Sequence, residues 1–226
     1  MQTIRSAVVP LLFSCCAFGA FAAPKTHTVS FGAARKVPYT PPEAPAETRA
    51  GEAVTLRVRP LLVDGAQREW TVGDLHDVTD RSFTIRRALR LNDALPAEPP
   101  RWTWQPGPWL QVDRVTGHIT ALHLNAFDPA VSEVAWFRDY AAYCGITLTA
   151  KGGLVAVVSQ LGNRRPVALK VLSKWPPAPM PHPACAVPHW QRDPMRATLQ
   201  MTGGESVTFN VVGISSLIED GDSEEQ

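Results

Sequence analysis

Three tryptophans and two neighbouring charged residues have side chains suited to binding a sugar. Trp102, Trp104 and Trp109 lie close in sequence to Asp113 and Arg114. A sugar offers an apolar ring face and a rim of hydroxyl groups, so aromatic faces beside hydrogen-bonding groups suit a carbohydrate site. The same tryptophans also fit the core and edge of a β-rich protein. A sugar site requires at least two of these rings to face solvent and to be roughly coplanar.

Two of the cysteines are candidates for a structural disulfide. The chain has four cysteines, and Cys15 and Cys16 lie in an N-terminal export pattern described below. Cleavage leaves Cys144 and Cys185, which an oxidising compartment would join in a disulfide. The bond would close a loop of about 40 residues, contribute about 4 kcal/mol and clamp the proline-rich segment 175–188. We therefore predict that the Cα atoms of Cys144 and Cys185 lie about 4.4 to 6.8 Å apart. We predict no cofactor.

The same region contains residues that bind copper in other proteins. Cys185, the Pro-His pair ending at His189, and Met195 follow one another, with His182 upstream. This order resembles the Cys, Pro-His, Met ligand loop of the plastocyanin-like blue-copper proteins, and it implies a site with a thiolate, imidazoles and an axial thioether. The spacing from His189 to Met195 is longer than in that loop. Because copper would use Cys185 and leave Cys144 free, it is the alternative to the disulfide.

Motifs typical of enzymes are absent from the sequence. It contains no Gly-x-Ser-x-Gly, no His-Glu-x-x-His, no P-loop and no Gly-x-Gly-x-x-Gly. His76, Asp77 and Asp80 could form an acid–base group, but such residues are ordinary in a loop. His118 and His123 are five positions apart on one predicted strand, and because this number is odd they point to opposite faces. A binding or structural role is favoured, with an exported, carbohydrate-acting enzyme as the alternative.

Charge gives little support for a polyanionic partner. Without Arg5, which lies in the export pattern, 21 basic residues (22 minus one) face 21 acidic residues. The balance predicts no binding to nucleic acid. Five arginines on or beside predicted strands nevertheless form either an anion-binding surface or, as we expect, a solvated sheet face. These are Arg57, Arg59, Arg81, Arg86 and Arg90.

The N-terminus has the pattern of an export signal. One basic residue near the start, an apolar run over 7–18 and the triplet Ala20-Phe21-Ala22 predict a signal peptide cleaved after Ala22. The alternative is a lipoprotein signal with a lipid on Cys15. No other apolar stretch approaches transmembrane length. We expect a soluble protein in the periplasm or outside the cell, with a carbohydrate or an envelope protein as candidate partner.

Strand patterns dominate the remaining chain. Residues 109–113 and 118–124 alternate on either side of a turn ending at Gly117, which predicts a hairpin with Leu110 and Val112 facing Leu122 and Leu124. Similar runs predict an all-β fold, an antiparallel meander of hairpins forming a sandwich or a partial propeller-like sheet. Arg87 interrupts one apolar face, which suggests an end-of-sheet position or a buried ion pair with Asp74, Asp77 or Asp80.

Residues 129–144 are compatible with two structures. Asp128 could cap a short helix that Gly145 ends, whereas the runs 134–136 and 141–146 around a turn favour two strands. With strands, residues 134–172 resemble one four-stranded blade of a β-propeller, although no second copy follows at a fixed period.

The chain is divided into five segments by these patterns. They are a signal peptide (1–22), a strand and Pro-rich linker (23–53), a β-rich core domain (54–172), a Pro-rich segment with a C-terminal hairpin (173–218) and an acidic, disordered tail (219–226).

Overall fold

The protein is built of antiparallel β-strands. The computed structural model describes residues 26–39, 55–148, 152–174 and 184–212, and this part of the chain contains fourteen strands and no helix. The predicted all-β meander is confirmed. The predicted signal peptide, most of the predicted first linker, His182 and the predicted acidic tail lie outside the described residues. Among those described, no helix is long and apolar enough to cross a membrane.

The first half of the chain forms a seven-stranded sheet. Its strands are β1 (Val29–Phe31), β2 (Arg35–Pro38), β3 (Thr55–Val63), β4 (Ala66–Thr79), β5 (Ser82–Asn92), β6 (Trp102–Asp113) and β7 (Ile119–Ala121). They run in the order β1-β3-β4-β5-β6-β7, with β2 also paired to β3. Because side chains alternate along a strand, Phe83, Ile85, Leu110 and Val112 share one face and pack with Leu61 as a core.

A bulge in β5 explains the arginine that interrupts its apolar face. The register with β6 shifts between Arg86 and Ala88, so the alternation of side chains changes there. Arg87 is half-exposed and pairs with Glu69 at 2.7 Å, so the expected pairing with Asp74, Asp77 or Asp80 is wrong. Arg86 is only 7% exposed, which also corrects its placement on a solvated face.

The hairpin between β6 and β7 forms as predicted, but with another register. Leu110 pairs with Ala121 and Val112 pairs with Ile119. The predicted pairing with Leu122 and Leu124 is wrong, because the turn closes at Asp113 and the chain leaves the sheet soon after Ala121. Gly117 adopts a φ of 64° in this turn.

The segment with two compatible structures forms strands. β8 (Ala135–Phe137), β9 (Tyr140–Thr147), β10 (Gly153–Gln160) and β11 (Ala168–Lys174) make a four-stranded meander, so the alternative helix over 129–144 does not form. Both faces of β9 are buried: Tyr140, Ala142 and Cys144 pack on one side, Ala141 and Tyr143 on the other. A run that is apolar on both faces lacks clean alternation, which is why its sequence also resembled a helix.

The C-terminal strands cover one face of this meander. β12 (His189–Gln191), β13 (Arg196–Gln200) and β14 (Ser206–Asn210) form a three-stranded sheet, with the predicted hairpin across Gly203 and Gly204 between the last two. Ala197 and Leu199 pack against the β9 and β10 side chains. Cys144 and Cys185 meet inside this layer at bonding distance, with Cα atoms 6.3 Å apart, within the predicted range.

Candidate binding groove

The three tryptophans of the predicted sugar site are separated in the fold. Trp102 is 47% exposed and lies under the guanidinium of Arg90, whereas Trp104 is 5% and Trp109 is 9% exposed. Trp104 packs edge-on against Trp70, on a different part of the sheet from Trp109. The described structure therefore lacks the pair of exposed, coplanar rings that a sugar platform requires.

Asp113 and Arg114 are adjacent in sequence but serve different contacts. Asp113 accepts a hydrogen bond from Arg81 at 2.9 Å. Arg114 pairs with Asp77 and lies 4.8 Å from the ring centre of Phe83. Asp113 lines a cleft. Arg114 Nη1 donates to the carbonyl of Thr79 at the end of β4.

The first cleft lies on the polar face of the seven-stranded sheet. It has a volume of about 370 Å³. Its lining comprises Thr79, Arg81, Ser82, Gln111, Asp113, His118 and Thr120. Thr79, Ser82 and Asp113 are cross-strand neighbours, and Gln111 pairs with Thr120, so the strand register places these groups on one face. The cleft offers hydroxyl, amide and charged groups for hydrogen bonding.

The carboxylate of Asp113 is already engaged as an acceptor. Burial disfavours its ionised form, but hydrogen bonds from the N–H groups of Thr116 and Val115 and from Arg81 outweigh burial and lower its pKa below the ordinary value of 3.8. Its oxygens stabilise the β6–β7 turn and hold Arg81 in the cleft wall. Asp113 therefore suits a positioning role in a binding site better than general-base catalysis.

Replacing Asp113 by asparagine is expected to lower the free energy of unfolding by about 1 to 2 kcal/mol at neutral pH, because charge-assisted hydrogen bonds weaken. A lowered native pKa stabilises the protein above pH 3.8, and this contribution is lost as pH falls below that value. Urea unfolding of both proteins at neutral pH and near pH 3 measures the change. The difference in free energy of unfolding between the two proteins should be smaller near pH 3 than at neutral pH. A difference that does not change with pH would contradict the lowered pKa of Asp113. Asp80→Asn, at an exposed position, is the control.

A second cleft, of about 630 Å³, separates the two larger sheets. Residues 120–125 form one side, and Ala141 with residues 159–164 forms the other. Asn125 Nδ2 donates to the carbonyl of Arg164 at 2.9 Å. The hydroxyl of Tyr143 donates to the carbonyl of Asn125 at 2.9 Å and also bonds to Ser159. Burial raises the pKa of Tyr143 to about 12, so the phenol stays protonated and fixes this wall at ordinary pH.

Gly145 allows the connection after β7 to lie close against β9. Ile146 N–H donates to the carbonyl of Ala126 at 2.8 Å, and Phe127 forms a bridge with Gly145. A Cβ atom on Gly145 would lie 2.0 Å from the carbonyl oxygen of Ala126. The close approach therefore depends on glycine and sets the position of the adjoining cleft wall, Asn125.

The open edge of β7 joins the two clefts. Thr120 lines both of them. Asp113 N–H donates to the carbonyl of His118, and Leu122 N–H donates to the carbonyl of Trp109, so alternate residues of this strand face β6. The backbone groups of Ile119 and Ala121 point away from β6 and have no partner among the residues described. We call β7 with its two clefts the edge groove.

The residues of the copper alternative do not assemble around a free thiolate. Cys185 is buried with its sulfur bonded to Cys144, His189 is exposed at the start of β12, and Met195 packs against the core. His182 lies outside the described residues. Within the described ranges, no group of three or more His, Cys, Asp or Glu side chains lies close enough to hold a metal ion.

The histidine of the candidate acid–base group takes part in another contact. His76 Nε2–H donates to the carbonyl of Arg138 at 2.7 Å, and its ring stacks on Trp136. Asp77 pairs with Arg114. His76 therefore connects β4 to the turn between β8 and β9 instead of forming a group with Asp77 and Asp80.

Comparison with known proteins finds no family model, no curated protein and no solved structure that matches this chain. The edge groove and its chemistry are therefore the basis for assigning a function. Sequence patterns indicated its hairpin and Asp113, but gave no indication of Asn125 or Arg164, which reach the groove from separate parts of the chain.

Proposed function

We propose that the protein is an exported binding module that captures an extended polypeptide segment along the open edge of β7. The observation that carries this proposal is the unpartnered backbone of Ile119 and Ala121, flanked by two clefts that meet at Thr120. An exposed strand edge is a ready template for another strand, whose main-chain hydrogen bonds supply affinity. Export is supported by the pattern of residues 1–22 and by the bonded cysteine pair.

The two faces of β7 define the chemistry of the bound segment. Thr120 lies on the polar face with Gln111, whereas Ile119 packs on the apolar core that contains Val112. A strand added beside β7 would alternate in the same way, with polar side chains entering the clefts and apolar ones extending the core. Arg164 is exposed in the second cleft without an ion pair in the described structure, so an acidic side chain suits that end.

The groove favours binding over catalysis for a chemical reason. Its carboxylate, Asp113, is occupied by the turn and by Arg81, and Tyr143 is fixed as a neutral phenol. Neither is free to accept a proton from a substrate at neutral pH. The remaining lining groups are hydroxyls, amides, backbone groups, the imidazoles of His118 and His123, and the guanidinium groups of Arg81 and Arg164, all of which can hold a ligand by hydrogen bonds.

Selection of peptides tests the proposal. A library of random peptides of about twelve residues is displayed against the purified mature protein, and the dissociation constants of selected peptides are measured. Ala121→Pro removes the outward N–H, and proline is tolerated on an edge strand, so we expect peptide affinity to fall about tenfold or more. Ala121→Val retains the N–H and is the matched control, with affinity close to that of the unmodified protein.

Two outcomes would contradict the assigned function. One is a library that yields no peptide whose binding depends on residue 121. The other is unchanged affinity in a folded Ala121→Pro variant, which would place binding away from the β7 edge. Thermal unfolding of the variants establishes that each is folded before affinity is compared.

A further inference from the structure

A buried arginine lies away from the edge groove, where the seven-stranded sheet meets the segment before β8. Arg86 is 7% exposed. Its Nε–H donates to the carbonyl of Gly107 at 3.2 Å. Its Nη1 lies 3.8 Å from the Glu133 carboxylate, beyond hydrogen-bond distance, and its Nη2 has no partner among the described residues. Most of the donor capacity of this guanidinium is therefore unused.

Two tryptophans belong to the same packed region as Arg86. Trp109 lies directly opposite Arg86 in the pairing of β5 and β6. Trp136 packs edge-on against Trp109, with ring centres 5.2 Å apart. The Nε1 atoms of both tryptophans are buried and have no partner in the described structure. Three buried N–H donor groups of this region, on Arg86, Trp109 and Trp136, therefore lack an acceptor in the described structure, which is costly unless an acceptor can enter.

Glu133 shows the direction from which an acceptor can reach the guanidinium. Its side chain is 64% exposed, yet its carboxylate oxygen is the charged acceptor nearest to Arg86 in the described structure. Burial lowers the pKa of Arg86, and the attraction of Glu133 and of Tyr39 opposes that effect. A carboxylate is therefore already drawn toward Arg86 from the solvent side, although its contact is loose.

We propose that Arg86, Trp109 and Trp136 form a binding site for a carboxylate, and that Glu133 occupies its entrance as an internal competitor. The planar guanidinium matches the two oxygens of a carboxylate, and the indole N–H groups supply further donors. The ligand class is a small carboxylate, either free in solution or at the C-terminus of a polypeptide. The site contains none of the residues that line the edge groove.

Titration with acetate tests this site in the mature protein. The indole N–H resonances are assigned with Trp109→Phe and Trp136→Phe and followed by NMR. Acetate should shift both resonances, and Glu133→Ala should tighten acetate binding about tenfold by removing the competing carboxylate. Acetamide has nearly the same shape without charge and should have no effect. Arg86→Met removes the charge and should abolish the response.

The source of the carboxylate is distinguished by a pair of peptides. N-acetyl-trialanine with a free C-terminus and its C-terminal amide are compared in the Glu133→Ala protein. Binding of the acid form more tightly than acetate assigns a polypeptide C-terminus, and equal binding assigns a free small carboxylate. Both results support the site.

A structural role for Arg86 predicts a different result. If the guanidinium only fastens the two sheets, Glu133→Ala lowers the unfolding temperature and the indole resonances do not respond to acetate or to either peptide. That result would overturn the proposal. Because Glu133 is exposed, its variants are expected to fold even if Arg86→Met does not.

Discussion

Replacing both Cys144 and Cys185 with alanine is expected to lower the free energy of unfolding by about 4 kcal/mol. The two residues are 41 positions apart, so without the bond the unfolded chain regains the entropy of a long loop. The bond also ties the entry to β12 to the centre of β9. We expect β12–β14 to lose hydrogen-exchange protection while the seven-stranded sheet keeps its own. Urea unfolding and hydrogen exchange measure the two effects.

Reduction of the unmodified protein is the matched control for this double variant. It breaks the bond without deleting side-chain volume, so agreement between the two excludes a packing defect from the replacement. A loss of less than about 1 kcal/mol in both would contradict the stabilising role of the bond. Two titratable thiols in the unreduced, denatured protein from its own compartment would contradict both the bond and the export that it supports.

Gly145→Ala is expected to destabilise the protein by about 3 kcal/mol. The added Cβ would lie 2.0 Å from the backbone oxygen of Ala126, so the connection after β7 must move away from the sheet. The displacement should also break the bond from Ile146 N–H and shift Asn125 in the second cleft. Urea unfolding gives the stability, and the Asn125 amide resonances report the movement.

Gly162→Ala separates this steric effect from the loss of glycine's conformational freedom. Gly162 has a φ of 82° and no atom within 4 Å of an added Cβ, so its replacement should cost about 1 kcal/mol from backbone strain alone. Equal losses at the two positions would show that the contact with Ala126 is not what requires glycine at 145.

The sequence predicted strands wherever one face alternated, but could not predict where their pairing changes. Leu110 and Val112 lie on β6 as expected, and the turn before Gly117 forms. The position at which that turn closes shifted the partners of Val112 to Ile119. Register depends on turn geometry and on where the chain leaves the sheet, and local alternation specifies neither.

Burial of Arg86 could not be predicted for a related reason. The bulge after Arg86 changes which residues share a face, and Glu133 and Trp136, from a distant part of the chain, pack against that face. Alternation therefore placed Arg86 in solvent, whereas Trp104 and Trp109 are buried, in keeping with the core positions expected for them. The edge groove could not be predicted from the sequence, because its walls, residues 120–125 and 159–164, meet only in the folded protein.

The backbone amides of Ile119 and Ala121 provide the most direct test of the proposed polypeptide binding. Leu122 N–H donates to the carbonyl of Trp109, whereas the Ile119 and Ala121 amides have no partner in the described structure. Hydrogen exchange followed by NMR should show protection at Leu122 and rapid exchange at the other two in the free protein. Saturation with a selected peptide should protect both Ile119 and Ala121. Protection of both in the free protein, or rapid exchange that persists with bound peptide, would contradict strand addition at β7.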